Sequence, residues 1–189
     1  RRATLPRMTT DRPMKQLHKK KETRDFLKQV ARPTIDLAFL LRSVEDPVNV
    51  GAAFRIADCV GAKQLLLTNT TPQPPHPTIA GVGRGTHRRV KWDYFAEDAD
   101  AIADLKRRGY HVCAIELATG AVPYYAFDYP EKTCLLVGSE GPGVSKATLA
   151  LCDSAVFIPM FGKAPSLNVH VSLAVVAFHA VYQSLTIED

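Results

Sequence analysis

The 189-residue chain has no uninterrupted apolar stretch approaching the ~18 residues that span a bilayer, so no membrane helix is expected. Its basic N-terminus is not followed by an apolar segment, which argues against a secretory signal. Cysteine is sparse: Cys59, Cys113, Cys134 and Cys152 are widely spaced and stand in apolar contexts. With no CxxC pair and no His/Cys cluster, no zinc or other metal is expected, and the thiols read as reduced core residues of a cytoplasmic protein. Internal repeats and low-complexity segments are missing too. What remains, at 46% hydrophobic residues, is a globular chain large enough for a substantial core.

Charge is unevenly placed. Residues 1–35 carry eleven Lys/Arg against three Asp/Glu, a net +8, while the rest carries thirteen against sixteen, a net −3. The basic character therefore belongs to an N-terminal arm, which is either a solvated tail or a footprint for phosphates. Residues 10–30, with Lys19-Lys20-Lys21, read as a short basic amphipathic helix whose apolar positions are Leu17, Phe26, Leu27 and Val30. Met8 is a possible start, and residues 1–10 are set aside from the fold. The expected organisation is a basic extension over 1–32 and a catalytic domain over 33–189.

Along that domain, strands are expected at 36–44, 63–67, 90–94, 111–116, 133–137 and 155–160. Helices are expected at 51–60, 98–108, 145–151 and 167–185. Pro47 and Asn49 read as an exit loop, and the four prolines between 70 and 77 as an irregular surface loop. Gly81-Val82-Gly83-Arg84-Gly85-Thr86-His87-Arg88-Arg89 reads as a mobile basic loop. Its glycines lack a directly preceding strand and a following acid, so it is not a dinucleotide site. Alternating strands and helices imply an α/β fold with a parallel sheet.

Three segments depart from ordinary packing patterns. Asn49-Val50-Gly51-Ala52-Ala53-Phe54-Arg55 follows the first strand. Leu135-Leu136-Val137-Gly138-Ser139-Glu140-Gly141-Pro142-Gly143-Val144-Ser145 runs from a buried strand into a glycine-rich turn. Phe157-Ile158-Pro159-Met160-Phe161-Gly162 leads to Ser166-Leu167-Asn168-Val169 at the head of an apolar helix. Ser166 and Asn168 fit first a helix N-terminus, where short polar side chains satisfy free amides, a reading that explains one polar residue better than two; the alternative is a helix mouth that holds a ligand. Each segment alone is weak. In this order, over residues 35–184, they resemble the three signature motifs of the SpoU (TrmH-like) family of RNA ribose 2′-O-methyltransferases in the SPOUT superfamily.

The resemblance implies a parallel-sheet methyltransferase fold with a deep C-terminal trefoil knot, a homodimer, and S-adenosylmethionine as methyl donor. It implies that Leu117, Gly138, Ile158 and Leu167 contact the cofactor, largely through main-chain atoms. It makes Arg55 the catalytic candidate, with Asn49, Glu140, Ser166 and Asn168 completing the site. It gives this position the role of drawing the 2′-hydroxyl proton or stabilising the oxyanion, aided by an RNA phosphate. Because guanidinium groups stay charged, substrate orientation and charge stabilisation are favoured over literal proton removal unless a phosphate tunes the group. The bland alternative for Arg55 is an ion pair with Asp58 or Glu45. RNA contacts are expected at Lys19, Lys20, Lys21, Arg84, Arg88 and Arg89, with tRNA favoured over rRNA.

The chain departs from the family pattern at three places. His170 stands where a small polar residue is usual, Phe54 replaces a small aliphatic residue, and Ile56 replaces threonine. His170 reads more readily as a packed or capping residue than as a base. The competing functions are a noncatalytic RNA-binding module, for which the retained polar set is an obstacle, and a methyltransferase acting on a non-RNA substrate.

Overall fold

The computed structural model describes residues 15–185; Met8 and the first residues of the expected basic helix lie outside them. Seven strands run parallel in one sheet: β1 (Asp36–Arg42), β2 (Gln64–Thr68), β3 (Trp92–Phe95), β4 (His111–Ile115), β5 (Val122–Pro123), β6 (Lys132–Val137) and β7 (Ser154–Phe157). Their spatial order is β3-β2-β1-β6-β4-β7-β5. The short edge strand β5 has no periodic pattern in the sequence and was not expected. β7 stops at Phe157, earlier than the expected 160, ahead of Pro159, whose missing N–H cannot join a ladder.

The central strands are buried on both faces, as parallel strands flanked by helices must be. Leu37, Phe39 and Leu41 of β1 face α2 (Pro47–Val60) and α6 (Val169–Gln183), meeting Phe54, Ala57, Leu173 and Val176. Ala38 and Leu40 face the other way, towards Ile102 and Leu105 of α4 (Asp98–Arg107), with Leu149 of α5 (Lys146–Leu151) beside them. The result is three layers, α/β/α. Phe54, fully buried and edge-on to Trp92 and His87, is the largest side chain of α2 in the core. Truncating it to alanine would remove about 3–5 kcal/mol of stability.

Two expected loops are helical. α2 begins at Pro47, so Asn49 stands in its first turn and not in an exit loop. Asp46 caps it by accepting from the Val48 amide at 2.8 Å, and proline suits the first helical position. α3 (Pro77–Val82) runs from the end of the expected proline-rich loop into the segment expected to be mobile, which also holds a 3₁₀ turn over Thr86–Arg88. It is pinned because glycines let the backbones touch. A Cβ on Gly51 would lie 2.9 Å from Val82 Cβ, and one on Gly83 would lie 2.8 Å from the Ile79 carbonyl oxygen. Buried Thr86 then donates its hydroxyl to the Gly83 carbonyl at 2.8 Å.

The remaining helix, α1 (Lys20–Leu27), buries none of its residues. The chain joins the domain at Pro33, bridged to Leu185, with Thr34 donating both its amide and its hydroxyl to the Ser184 carbonyl. Cys113 and Cys134 are buried, Cys152 is half-buried, and Cys59 is exposed on α2 and is no core thiol. Among the described residues no helix is long and apolar enough to cross a membrane.

Candidate active site

β4, β6 and β7 end side by side, and the loops that leave their carboxyl ends enclose a cavity of about 460 Å³. This is where open α/β sheets place ligands, and the volume suits a small molecule. Leu117, Gly138, Ile158 and Leu167 all line it, together with Glu140 and Ser166. The loop after β6 is folded hard on itself. Gly143 has φ of +66°, its amide donates to the Ser139 carbonyl, and a Cβ on Gly138 would fall 2.2 Å from the Gly143 carbonyl carbon.

Glu116, directly after β4, holds this loop and was not anticipated. One carboxylate oxygen accepts from the Leu117 amide at 2.9 Å and the other from Val144 at 2.8 Å. The available signal was an acid placed immediately after a buried strand, a position that carries no periodic pattern of its own.

The first two motifs meet at Asn49, which is 2% exposed. Its Nδ2 donates to Glu140 Oε1 at 2.7 Å, and its Oδ1 lies 2.8 Å from His170 Nδ1. Glu140 also accepts from the amides of Glu45 and Asp46, at 3.2 and 3.3 Å. Partial burial pushes this carboxyl up, but the bonds from Asn49 and the backbone amides outweigh it and leave its pKa below the usual value. Glu140 thus stays ionised and fastens the glycine-rich loop to the head of α2.

The two polar residues of the third motif part company. Asn168 is the N-cap of α6, accepting from the His170 amide at 3.0 Å, and it does not line the cavity, whereas Ser166 does. Arg55 is exposed and outside the cavity lining, with no hydrogen bond or ion pair to any described residue. Asp58, one of the two partners in the ion-pair alternative for Arg55, is held by Arg89 in a two-bonded pair at 2.7 and 3.2 Å. Arg84 and Arg88 are exposed and make no ion pair among the described residues. Lys19, Lys20 and Lys21 are exposed on and before α1, with Lys19 paired to Glu22 at 3.7 Å.

The donor set limits what the cavity can hold. Glu116 and Glu140 line it and, among the described residues, no Lys or Arg does, which disfavours a phosphate-bearing cofactor and suits a cation such as a sulfonium. Among the described residues no cluster of three or more His, Cys, Asp or Glu could hold a metal ion.

Comparison with known proteins agrees with this geometry. A tRNA (guanosine(18)-2′-O)-methyltransferase of Thermus thermophilus is 39% identical over 153 residues, 79% of this chain and 76% of its own length. The Escherichia coli enzyme of the same name is 34% identical over 154 residues, 82% of this chain; the match spans 66% of its length. The solved structure of the SpoU methyltransferase AviRb from Streptomyces viridochromogenes in complex with AdoMet superposes with a TM-score of 0.72 at 26% identity, covering 80% of this chain and 58% of AviRb. Residues 36–178 match the SpoU rRNA Methylase family, and the chain belongs to that family.

Proposed function

We propose that this protein transfers a methyl group from S-adenosylmethionine to a ribose 2′-hydroxyl of structured RNA, with tRNA as the favoured class. The observation that carries the reading is the cavity at the ends of β4, β6 and β7, acidic, with no Lys or Arg among the described residues that line it, and tied through Glu140 and Asn49 to the helix that bears Arg55. The cofactor supplies an electrophilic methyl on a sulfonium when bound. Gly138, Ile158, Leu167 and Leu117 hold it, and the cramped turn at Gly138 keeps side chains out of its way. Arg55 orients an RNA phosphate and stabilises the developing oxyanion. Ser166 and Asn168 shape the helix mouth. The tRNA preference leans on the two tRNA-acting relatives; the family's own description is of rRNA methylases.

Residues 33–189 form the catalytic domain in this reading, with residues 1–32 as a basic extension that meets RNA through Lys19, Lys20 and Lys21. Arg84 and Arg88 extend that surface, and Arg89 contributes less because Asp58 neutralises it. The segments after β6 and β7 thread as a trefoil knot. Two chains pair through α6, whose Val171, Phe178 and Tyr182 remain 37%, 51% and 53% exposed. Light scattering at micromolar concentration should give a dimer, and a fully active monomer would remove that element.

The deciding experiment digests RNA incubated with enzyme and S-adenosylmethionine and identifies the nucleosides by mass spectrometry. A 2′-O-methylated ribose in tRNA is expected. A methylated base, or cofactor binding with no transfer to any RNA, would overturn the reading in favour of another substrate or a noncatalytic module.

A further inference from the structure

The cavity carries fixed negative charge that the three motifs account for only in part. Glu116, which belongs to none of them, lines it together with Glu140, and no described lining residue is Lys or Arg. Neither carboxylate is free to swing away. Glu116 is held at one oxygen by the Leu117 amide at 2.9 Å and at the other by the Val144 amide at 2.8 Å. Gly143 packs so closely on it that a Cβ there would collide with Oε2. Glu140 is held by the Asn49 side chain at 2.7 Å and by the Glu45 and Asp46 amides. All of these donors are amides, neutral dipoles that fix each charge in place without cancelling it. Among the described residues neither glutamate forms an ion pair.

The methyl donor and its spent form differ in the property that such walls sense. S-adenosylmethionine carries a sulfonium where S-adenosylhomocysteine carries a neutral thioether, a difference of one methyl group and one positive charge. A sphere of 460 Å³ is about 10 Å across, so a sulfonium bound there lies within roughly that distance of both carboxylates. At an effective dielectric of about 20, attraction between unit charges over that span changes affinity roughly tenfold or somewhat more. Glu116 is half-buried and Glu140 is exposed, so solvent screens Glu140 more and leaves Glu116 the stronger influence.

We propose that Glu116, with Glu140 in support, is a specificity-determining residue that makes the cavity distinguish the charged methyl donor from its neutral product. The fixed carboxylates favour the sulfonium on entry, and the attraction is gone once the ligand is a thioether, which favours release. The inference deepens the functional reading above: it rests on S-adenosylmethionine as the ligand of this cavity and on no particular RNA.

The test is calorimetry at one ionic strength on wild type and Glu116→Gln with three ligands: S-adenosylmethionine, S-adenosylhomocysteine and sinefungin, which bears an ammonium group in place of the methylsulfonium. Glutamine keeps the size of the side chain but loses its charge and one amide acceptor, so all three ligands weaken through the loop. The two cationic ligands should weaken by about 5–10-fold more than S-adenosylhomocysteine. In turnover, the ratio of the S-adenosylhomocysteine inhibition constant to the KM for S-adenosylmethionine should fall by the same factor. Equal weakening of all three ligands would make Glu116 a loop anchor only and overturn the proposal. If Glu116→Gln binds none of them, Glu140→Gln decides in the same way, with an expected differential of about 2–3-fold; an equal loss there overturns the proposal. Wild-type protein that binds all three and methylates no ribose would remove the RNA reading and leave charge selection to be judged by the variants. Wild-type protein that binds none would remove both.

Discussion

The cavity is lined by main chain, apolar side chains and the carboxylates of Glu116 and Glu140, on a turn with no room for another carbon at Gly138. On α2 and just beyond α3, Arg55, Arg84 and Arg88 are long, exposed side chains with no ion-pair partner among the described residues. The first region is defined by shape and by its carboxylates: Gly138 has no Cβ, and no Lys or Arg among the described residues stands on the walls. The second is defined by charge and is free to adapt, which suits a polyanion whose phosphates must be met at several points. Glycine pairs underlie both. Gly138 and Gly143 close the cavity loop, while Gly51 and Gly83 bring the arginine-bearing segments together.

The contrast is broken most severely at Gly138. Gly138→Ala sets a methyl group 2.2 Å from the Gly143 carbonyl carbon, so the loop must open. We expect S-adenosylhomocysteine binding to fall below calorimetric detection and stability to drop by about 2–3 kcal/mol. Gly141→Ala is the control: nothing lies within 4 Å of its Cβ, and it should bind within a few-fold of wild type. Equal behaviour of the two variants would mean that the loop is not shape-determined.

Arg55→Ala should do the reverse, leaving the cavity intact and removing the chemistry. Turnover should fall by about 10²–10³-fold with S-adenosylhomocysteine affinity within a few-fold, because an interaction made chiefly in the transition state lowers kcat and spares cofactor binding. A parallel loss of cofactor affinity would place Arg55 in the cavity and dissolve the distinction between the two regions.

The sheet was largely legible in the sequence because buried parallel strands are continuous apolar runs, as in Leu37–Leu41 and Leu135–Val137. The cavity positions Leu117, Gly138, Ile158 and Leu167 were reached through resemblance and not through periodicity. Two things were hidden. Helix α3 was disguised by its glycines, which signal mobility in a sequence but close approach when a second glycine faces them from another helix. The Glu140–Asn49–His170 chain joins residues up to 121 positions apart, and no local pattern encodes such a contact. Asn168 and Ser166 looked alike in sequence, and only the start of α6 at Val169 separates the cap from the cavity residue.

RNA affinity should show smaller, graded effects. Neutralising Lys19, Lys20 and Lys21 together should lower the slope of log affinity against log salt by up to about two units, at roughly 0.7–0.9 per phosphate contact. Lys19 already pairs with Glu22, so a full three is not expected. Arg84→Ala and Arg88→Ala should each remove less than about one unit. Arg89→Ala should remove less still, since its guanidinium is already engaged by Asp58. An unchanged slope in the triple lysine variant would make the arm a solvated tail and leave the Arg84–Arg88 surface as the main contact.

The smallest effect is expected where the two regions join, at Glu140. Burial raises this carboxyl and the bonds from Asn49, Glu45 and Asp46 lower it by more, so its folded pKa lies below the unfolded value. The unfolded chain therefore binds more protons in the window between the two values, and stability rises with pH there. The contribution is fully present above the ordinary glutamate pKa, about 4.3, and is lost as pH falls through the lower folded value. Solvent screening of so exposed a carboxylate keeps it below about 1 kcal/mol. Denaturant melts of wild type and Glu140→Gln should differ most near neutral pH and converge in acid. A difference that grew towards acid would reverse the sign of the shift and show that Glu140 is not held ionised by its donors. The Asn49 amide would then be free to turn, and the fixed link between the cofactor cavity and the arginine-bearing helix would be lost with it.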